Sequence, residues 1–219
     1  MRKGTCLLLS FVLVLLAAAS ARAQSPGAYI GAGGGSSMAS FNSSDFSLGL
    51  PQVAESADKT SMGWKIFAGY RFNRNFAAEL GYAGLGTFKY KYNGGAAGTA
   101  EFDYEVSGIT LSGIAALPLS DEFSLFLRAG AFGSKAKNTL SNATGNVGTS
   151  LANAGFTPGS SASVNETTLS LGAGAEYEFQ RQFAVRFEYE YFGEVGNSND
   201  TGRVAVSLIS ANLLFRLRE

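Results

Sequence analysis

Apolar side chains recur at every second position through most of this chain. From Met62 to Phe72 the even positions read Met62, Trp64, Ile66, Ala68, Tyr70 and Phe72, while the odd ones include Gly63, Lys65, Gly69 and Arg71. Successive side chains of a β-strand point to opposite faces, so one face of this segment is apolar and the other is small or charged. The same parity resumes at Phe76, Ala78, Leu80 and Tyr82 and is expected to persist through Phe88, Tyr90 and Tyr92. Leu125, Leu127, Ala129 and Ala131 alternate with Ser124, Phe126, Arg128 and Gly130, with Phe126 a large side chain on the polar face. Leu169 to Phe179, Phe183 to Tyr191 and Ile209 to Leu217 behave alike. Between Glu101 and Leu117 the apolar parity changes near Ser107 and Gly108, where a β-bulge is expected. With a glycine-rich first strand over residues 28–37, the count is eight.

The connections carry independent information. Residues 73–75, 118–122 and 180–182 are tight, whereas 38–60, 93–100, 138–163 and 194–203 are longer and rich in Gly, Ser, Asn and Thr. Short and long connections alternate, which is the plan of an outer-membrane barrel with short periplasmic turns and longer external loops. Residues 138–163 hold no charge and one aromatic, Phe156, too little apolar surface to fold alone, so a mobile loop is expected there.

The N-terminus agrees. Arg2 and Lys3 precede an apolar run from Leu7 to Ala19, and Ala21-Arg22-Ala23 fits the small-residue cleavage rule, so residues 1–23 are expected to be a cleaved signal peptide and 24–219 a single barrel domain. The run is too short for the roughly 20 residues a helix needs to span a bilayer. The one cysteine, Cys6, leaves with that peptide, and the chain has no histidine. Disulfides, zinc or copper sites built from those residues and every histidine-dependent catalytic constellation are thereby excluded. Without Arg2, Lys3 and Arg22 the 17 basic residues fall to 14 against 17 acidic ones, which leaves no basic footprint for nucleic acid.

A soluble barrel would turn its apolar face inward. Here the charged face is the one that carries Gly, Ala and Ser, the small residues a narrow lumen requires, so the bulky face is expected to meet lipid. The fold expected is all-β, an eight-stranded antiparallel up-and-down transmembrane β-barrel. Phe72, Phe76, Phe123, Phe179, Phe183 and Phe215 bracket the short turns and are expected to form a periplasmic aromatic girdle. Inside, Lys65, Arg71, Glu79, Arg128, Glu176, Glu178, Arg186, Glu188, Glu190 and Arg216 must pair, because an isolated ion in that dry space costs several kcal/mol. A turn centred on Arg181 sets Glu176 opposite Arg186 and Phe179 opposite Phe183. A loop centred near Ala97 sets Lys89 opposite Glu105 and Lys91 opposite Asp103 in a stiff hairpin. Gly31-Ala32-Gly33-Gly34-Gly35 has neither a following helix nor the Gly-Lys-Ser/Thr of a phosphate loop, and its glycines are expected to leave lumen volume for charged neighbours.

The wording of the strands is itself informative. Gly63-Trp64-Lys65-Ile66-Phe67-Ala68-Gly69-Tyr70-Arg71-Phe72-Asn73-Arg74-Asn75-Phe76-Ala77-Ala78-Glu79-Leu80-Gly81-Tyr82 resembles the second and third strands of the OmpA-like transmembrane-barrel family, and Gly172-Ala173-Gly174-Ala175-Glu176-Tyr177 with Phe183-Ala184-Val185-Arg186-Phe187-Glu188-Tyr189-Glu190 resembles its sixth and seventh. The resemblance implies an eight-stranded barrel in the bacterial outer membrane. Family members range over structural tethers, adhesins and proteins of unknown role. The sequence stops at the eighth strand, so no peptidoglycan-binding domain is expected. Leu217 stands where family barrels usually end in an aromatic residue that the assembly machinery reads, with Arg218 and Glu219 beyond it.

The function expected is therefore non-enzymatic: a barrel that contributes to envelope integrity and displays extracellular loops, for adhesion or host contact, with a small porin-like channel through the charged lumen as the alternative. No cofactor is expected. Expected partners are outer-membrane lipid and lipopolysaccharide, the outer-membrane assembly machinery, and a host or extracellular ligand at the loops, with no nucleic acid and a monomeric barrel.

Overall fold

Two polar side chains make the short turns short. Asn73 Oδ1 accepts hydrogen bonds from the backbone N–H groups of Asn75 and Phe76, both at 2.9 Å, and Ser120 Oγ accepts from those of Glu122 and Phe123 at 3.3 and 3.0 Å. Such side-chain closure lets a few residues reverse the chain. In the computed structural model, which describes residues 26–41, 54–197 and 201–217, these turns join long antiparallel strands. The expected signal peptide, Arg218 and Glu219 lie outside the described residues.

The strands are β1 (Gly27–Phe41), β2 (Ala54–Asp58), β3 (Thr60–Arg71), β4 (Phe76–Asn93), β5 (Thr99–Pro118), β6 (Phe123–Ala143), β7 (Ser161–Gln180), β8 (Phe183–Val195) and β9 (Val204–Leu217). Both β2 and β3 pair with β4 and are separated only at Lys59, so nine segments make eight staves. Closure comes from β1 against β9, with Ala28 opposite Leu217 and Phe41 opposite Val204. The molecule is a closed eight-stranded antiparallel barrel. Ile30, Trp64, Ile66, Leu80, Ile109, Leu111, Leu127, Leu169, Phe187 and Leu213 stand exposed on its outside. A continuous apolar band of this kind is the lipid-facing surface of a membrane barrel.

Above that band, toward the long connections, the polarity inverts. Leu85, Phe88, Tyr104, Val106, Phe132, Leu140, Phe192, Val206 and Leu208 are buried in one apolar cluster inside the barrel, while Lys89, Lys135 and Lys137 point outward and are exposed. Water has replaced lipid as the outer solvent there, and the burial rule of a soluble protein returns. The parity change in β5 follows from this exchange and needs no bulge in that strand. Its even positions face inward throughout, Thr110 and Ser112 below, Tyr104 and Val106 above.

The bulge lies across the pair, in β4, where the register slips between Gly84 and Gly86 opposite Ser107 and Val106. Gly86 takes φ +88, a conformation glycine adopts without a Cβ penalty. The slip turns Phe88, Tyr90 and Tyr92 inward, so these three are core and not lipid face as the alternation predicted. A second slip between Tyr191 and Glu194, with Gly193 at φ +73, does the same for Val195, whose odd position would otherwise follow Tyr189 and Tyr191 outward.

Four further expectations shift. The β4–β5 hairpin closes on a 3₁₀ turn (Gly95–Ala97) and is centred one residue earlier than predicted, so Lys89 meets Asp103 and Lys91 meets Glu101, the latter as an ion pair at 3.1 Å. Gln180 pairs with Phe183, and Phe179 sits at a register slip with its ring stacked 6.2 Å from that of Phe183. Residues 138–163 are not a structureless loop. β6 runs to Ala143, an α-helix, α1 (Gly145–Asn153), follows, and Leu140, Val147 and Leu151 pack on the upper cluster. Neighbouring strands supply the apolar surface the segment lacks by itself. Of the expected loop over 38–60, residues 38–41 and 54–60 belong to strands or their joint, and 42–53 lie outside the described residues.

The placement of the solvent boundary is testable on one strand. Ala173→Arg, mid-height on the lipid face of β7, should cost about 2–4 kcal/mol in lipid vesicles, whereas Ser163→Arg, outward but above the band, should stay within about 0.5 kcal/mol. Urea midpoints of the two variants refolded side by side decide it, and equal costs would refute the boundary.

A charged lumen as the candidate functional site

Strict alternation aims one set of charged side chains down the barrel axis. Lys65 and Arg71 come from β3, Glu79 from β4, Arg128 from β6, Glu176 and Glu178 from β7, Glu188, Glu190 and Arg186 from β8, and Arg216 from β9. Glu176 and Arg186 are opposite in register, and Arg186 reaches Glu176 at 2.8 Å and Glu79 at 2.6 Å. Glu79 also pairs with Arg128 and accepts the Tyr29 hydroxyl at 2.7 Å. Arg128 lies 3.5 Å from Glu188 and 3.7 Å from Glu190, which share Lys65, at 2.8 Å for Glu190. Toward the short turns, Glu176 holds Arg71 at 2.9 Å and Arg216 at 2.8 Å, and Arg216 reaches on to Glu178.

All ten side chains thus join one network of five cations and five carboxylates, neutral as a whole. Each carboxylate in it meets at least one guanidinium or ammonium, which is what keeps the desolvation cost of burial from dominating. Among the described residues, no cluster of three or more Asp, Glu, His or Cys side chains is arranged to hold a metal ion.

Arg186 is also enclosed by aromatic rings, which the sequence reading did not assemble. Its guanidinium carbon lies 4.9 Å from the Phe126 ring centroid, 5.3 Å from that of Phe67 and 5.9 Å from that of Tyr29. Cation–π attraction adds to the ion pairs. A Cβ on Gly31 would strike the Phe67 ring, one on Gly69 the Tyr29 ring, and one on Gly174 the Phe126 ring. Gly31 therefore makes room for a ring where charged neighbours were expected, and Gly69 and Gly174 do the same from other strands. The available signal was that Phe67 and Phe126 each break the alternation of their strand.

The aromatic residues around the short turns cluster only in part. Phe183 lies 5.2 Å from Phe215 and stacks on Phe179, while Phe72, Phe76 and Phe123 stand exposed beside their own turns. At the far end the apolar cluster closes the barrel above the charges. There Tyr104, its hydroxyl pKa pushed up to about 12 by burial, remains a neutral donor within reach of the Val195 and Gly202 carbonyls, at 3.2 and 3.1 Å.

Charge balance in the lumen predicts a recoverable defect. Arg186→Met should destabilise the refolded barrel by about 3–5 kcal/mol, since it leaves a buried negative charge in excess. Adding Glu79→Gln, which restores neutrality while Arg128 keeps Glu188 and Glu190, should return part of that loss in urea titration. A double variant no more stable than the single one would show that balance is not what the network provides.

The comparisons with known proteins agree with this geometry. A family model described as the OmpA-like transmembrane domain matches residues 23–219. Outer membrane protein A of Salmonella typhi is 27% identical over 159 residues, covering 72% of this chain and 41% of the relative, and that of Serratia marcescens is 27% identical over 163 residues, covering 72% and 40%. The chain thus spans about two fifths of the length of the curated relatives it matches. Among solved structures, Ail, the attachment invasion locus protein of Yersinia pestis, in complex with the heparin analogue sucrose octasulfate, superposes with a TM-score of 0.52 at 18% identity, covering 89% of this chain and all of that one, a likeness of fold. With a closed eight-stranded barrel, an apolar outer band and a family match over residues 23–219, this chain belongs to the OmpA-like transmembrane domain family and resides in the bacterial outer membrane.

Proposed function

We propose that this protein is a non-enzymatic barrel that adds to the integrity of the outer membrane and displays its extracellular extension for contact outside the cell. The filled interior carries this reading. The lower lumen is occupied by the ion-pair network and the three rings around Arg186, and the upper lumen by the apolar cluster from Leu85 to Leu208. An eight-stranded lumen is just wide enough for side chains, and among the described residues these two stacked layers occupy it. The porin-like alternative would require both layers to open together.

What remains accessible is the extension above the lipid band. β4 to β7 carry it well past the membrane, and α1 caps the β6–β7 connection with its residues exposed or half-buried. In this reading residues 1–23 are removed on export, residues 24–219 form one barrel domain, and the phenylalanines around the short turns anchor the periplasmic rim. Lipid and lipopolysaccharide surround a monomer, the assembly machinery inserts it, and a host or extracellular ligand meets the extension.

Two measurements test the reading. Single-channel recording on the refolded barrel should show no steady open level, and a conductance that shifts with Lys65→Gln or Glu190→Gln would establish a pore instead. Replacing residues 145–155 by a short Gly-Ser turn should abolish binding to cultured host cells and to immobilised heparin, the latter chosen because Ail was seen with a heparin analogue. The heat-dependent gel shift of a folded barrel should survive the replacement. Undiminished binding would remove α1 from the contact surface.

A further inference from the structure

The inward glycines Gly31, Gly69 and Gly174 each have a reason within the chain, since a Cβ on any of them would strike a ring. Gly113 has none. It lies inside β5 on the lipid-facing side, its φ is not positive, and a Cβ there would meet only the Ala129 carbonyl oxygen, at 3.9 Å. A glycine inside a strand weakens it, and one that neither conformation nor crowding requires marks a place where something else approaches closely.

Gly113 is the floor of a groove. It stands in register between Ala78 of β4 and Ala129 of β6, and Ala115 is the next residue on its face. Phe76, Leu127 and Leu171 rise around these small residues, and the groove encloses about 670 Å³. The same register row continues as Tyr70 on one side and as Leu171 and Tyr191 on the other, so the depression is confined to three strands of an otherwise bulky surface. Its lower end meets the rim of the short turns. Phe72 and Phe76 line it and flank the first turn, whose Arg74 reaches Asp121 of the next short turn at 3.1 Å. Asn75 Nδ2 donates to the Ala116 carbonyl at 3.0 Å and holds that turn against the end of β5. The Asp121 side chain is 82% exposed. A cation and a carboxylate thus stand together beside the end of an apolar groove.

We propose that this groove holds an acyl chain of a phospholipid of the periplasmic leaflet, with its phosphoethanolamine head against Arg74 and Asp121. The outer solvent at this height is hydrocarbon, so the occupant is apolar, and burial from water supplies no driving force there. Packing does. Atoms lining a void lack contact partners on one side, and a flexible chain fills a space that no side chain of this protein fills. The head supplies the choice among lipids. A guanidinium matches the phosphate and the carboxylate matches the ammonium, whereas a phosphoglycerol head would bring its phosphate beside Asp121 with no cation to offset it. The site rests on the short turns facing the periplasm, as in the proposed function, and on neither the filled lumen nor contact outside the cell.

The test carries the folded barrel from vesicles of phosphatidylethanolamine and phosphatidylglycerol in equal parts into non-ionic micelles and counts the lipids still bound by native mass spectrometry. The wild-type protein should retain phosphatidylethanolamine in preference to phosphatidylglycerol. Gly113→Leu, whose side chain enters the groove with almost no contact to the barrel's own atoms, should lose that lipid. Gly133→Leu, outward on β6 and equally unobstructed but outside the groove, should keep it. Asp121→Asn should keep a bound lipid and lose the preference between the two heads. The heat-dependent gel shift verifies folding of each variant. Retention unchanged in Gly113→Leu, equal loss in Gly133→Leu, or a head preference absent from the wild type or untouched in Asp121→Asn would each overturn the site. A dimer that Gly113→Leu disrupts would assign the groove to a second copy and overturn it equally. Because bound lipid is read on purified protein, failure here is distinct from failure of the channel and cell-binding measurements.

Discussion

A sheet inside hydrocarbon cannot leave an edge, because unpaired backbone N–H and C=O groups find no water there. The pairing of β1 with β9 meets that demand, and the rest of the structure follows from it. Closing after eight staves sets a lumen only a side chain or two across. Period-two alternation then sends half of every strand into that space. Within the lipid-facing band, glycine, serine and alanine share the inward half with long charged residues that reach across the axis and pair. Five cations and five carboxylates from six strands meet in one network, which ties those strands to one another beyond their backbone ladders.

The same barrel passes through two solvents and solves each by the opposite pattern. In the membrane it is apolar outside and charged inside, and above the membrane it is apolar inside and charged outside. β5 changes over by a change in which residues are apolar, Ile109 and Leu111 pointing out and Val106 and Tyr104 pointing in. β4 and β8 change over by inserting a residue beside a glycine at positive φ, so that an unbroken run of apolar positions crosses from one face to the other. The upper half is in effect a small soluble core set on a membrane barrel. That core lies above the lumen charges, and it gives residues 138–163 a surface to fold against.

Much of this was legible in the residues. Alternation at Met62 to Phe72 and at Phe183 to Tyr191 is enough to name strands, and short turns against longer connections are enough to name the plan. The ten lumen ions could be chosen because parity alone decides which side of a strand a residue occupies, and a single turn length sets Glu176 across from Arg186. The aromatic enclosure of Arg186 was not legible in the same way. Tyr29, Phe67 and Phe126 come from three strands, and the glycines that admit them, Gly31, Gly69 and Gly174, stand far from them in sequence. Only closure brings them together. Phe88, Tyr90 and Tyr92 were assigned to the wrong face because one extra residue, Leu85, cannot be seen in a pattern that looks continuous on both sides of it.

The sequence by itself determined strand identity, strand number, the face each residue takes between bulges and the charge composition of the lumen, because these depend on local periodicity and on turn chemistry a few residues long. The tertiary structure decided the register slips in β4 and β8, the partners each lumen ion takes among several within reach, the ring enclosure of Arg186 and the ordering of residues 138–163. Each of these depends on which residues a closed sheet brings face to face across the axis, and on where along that axis lipid ends and water begins.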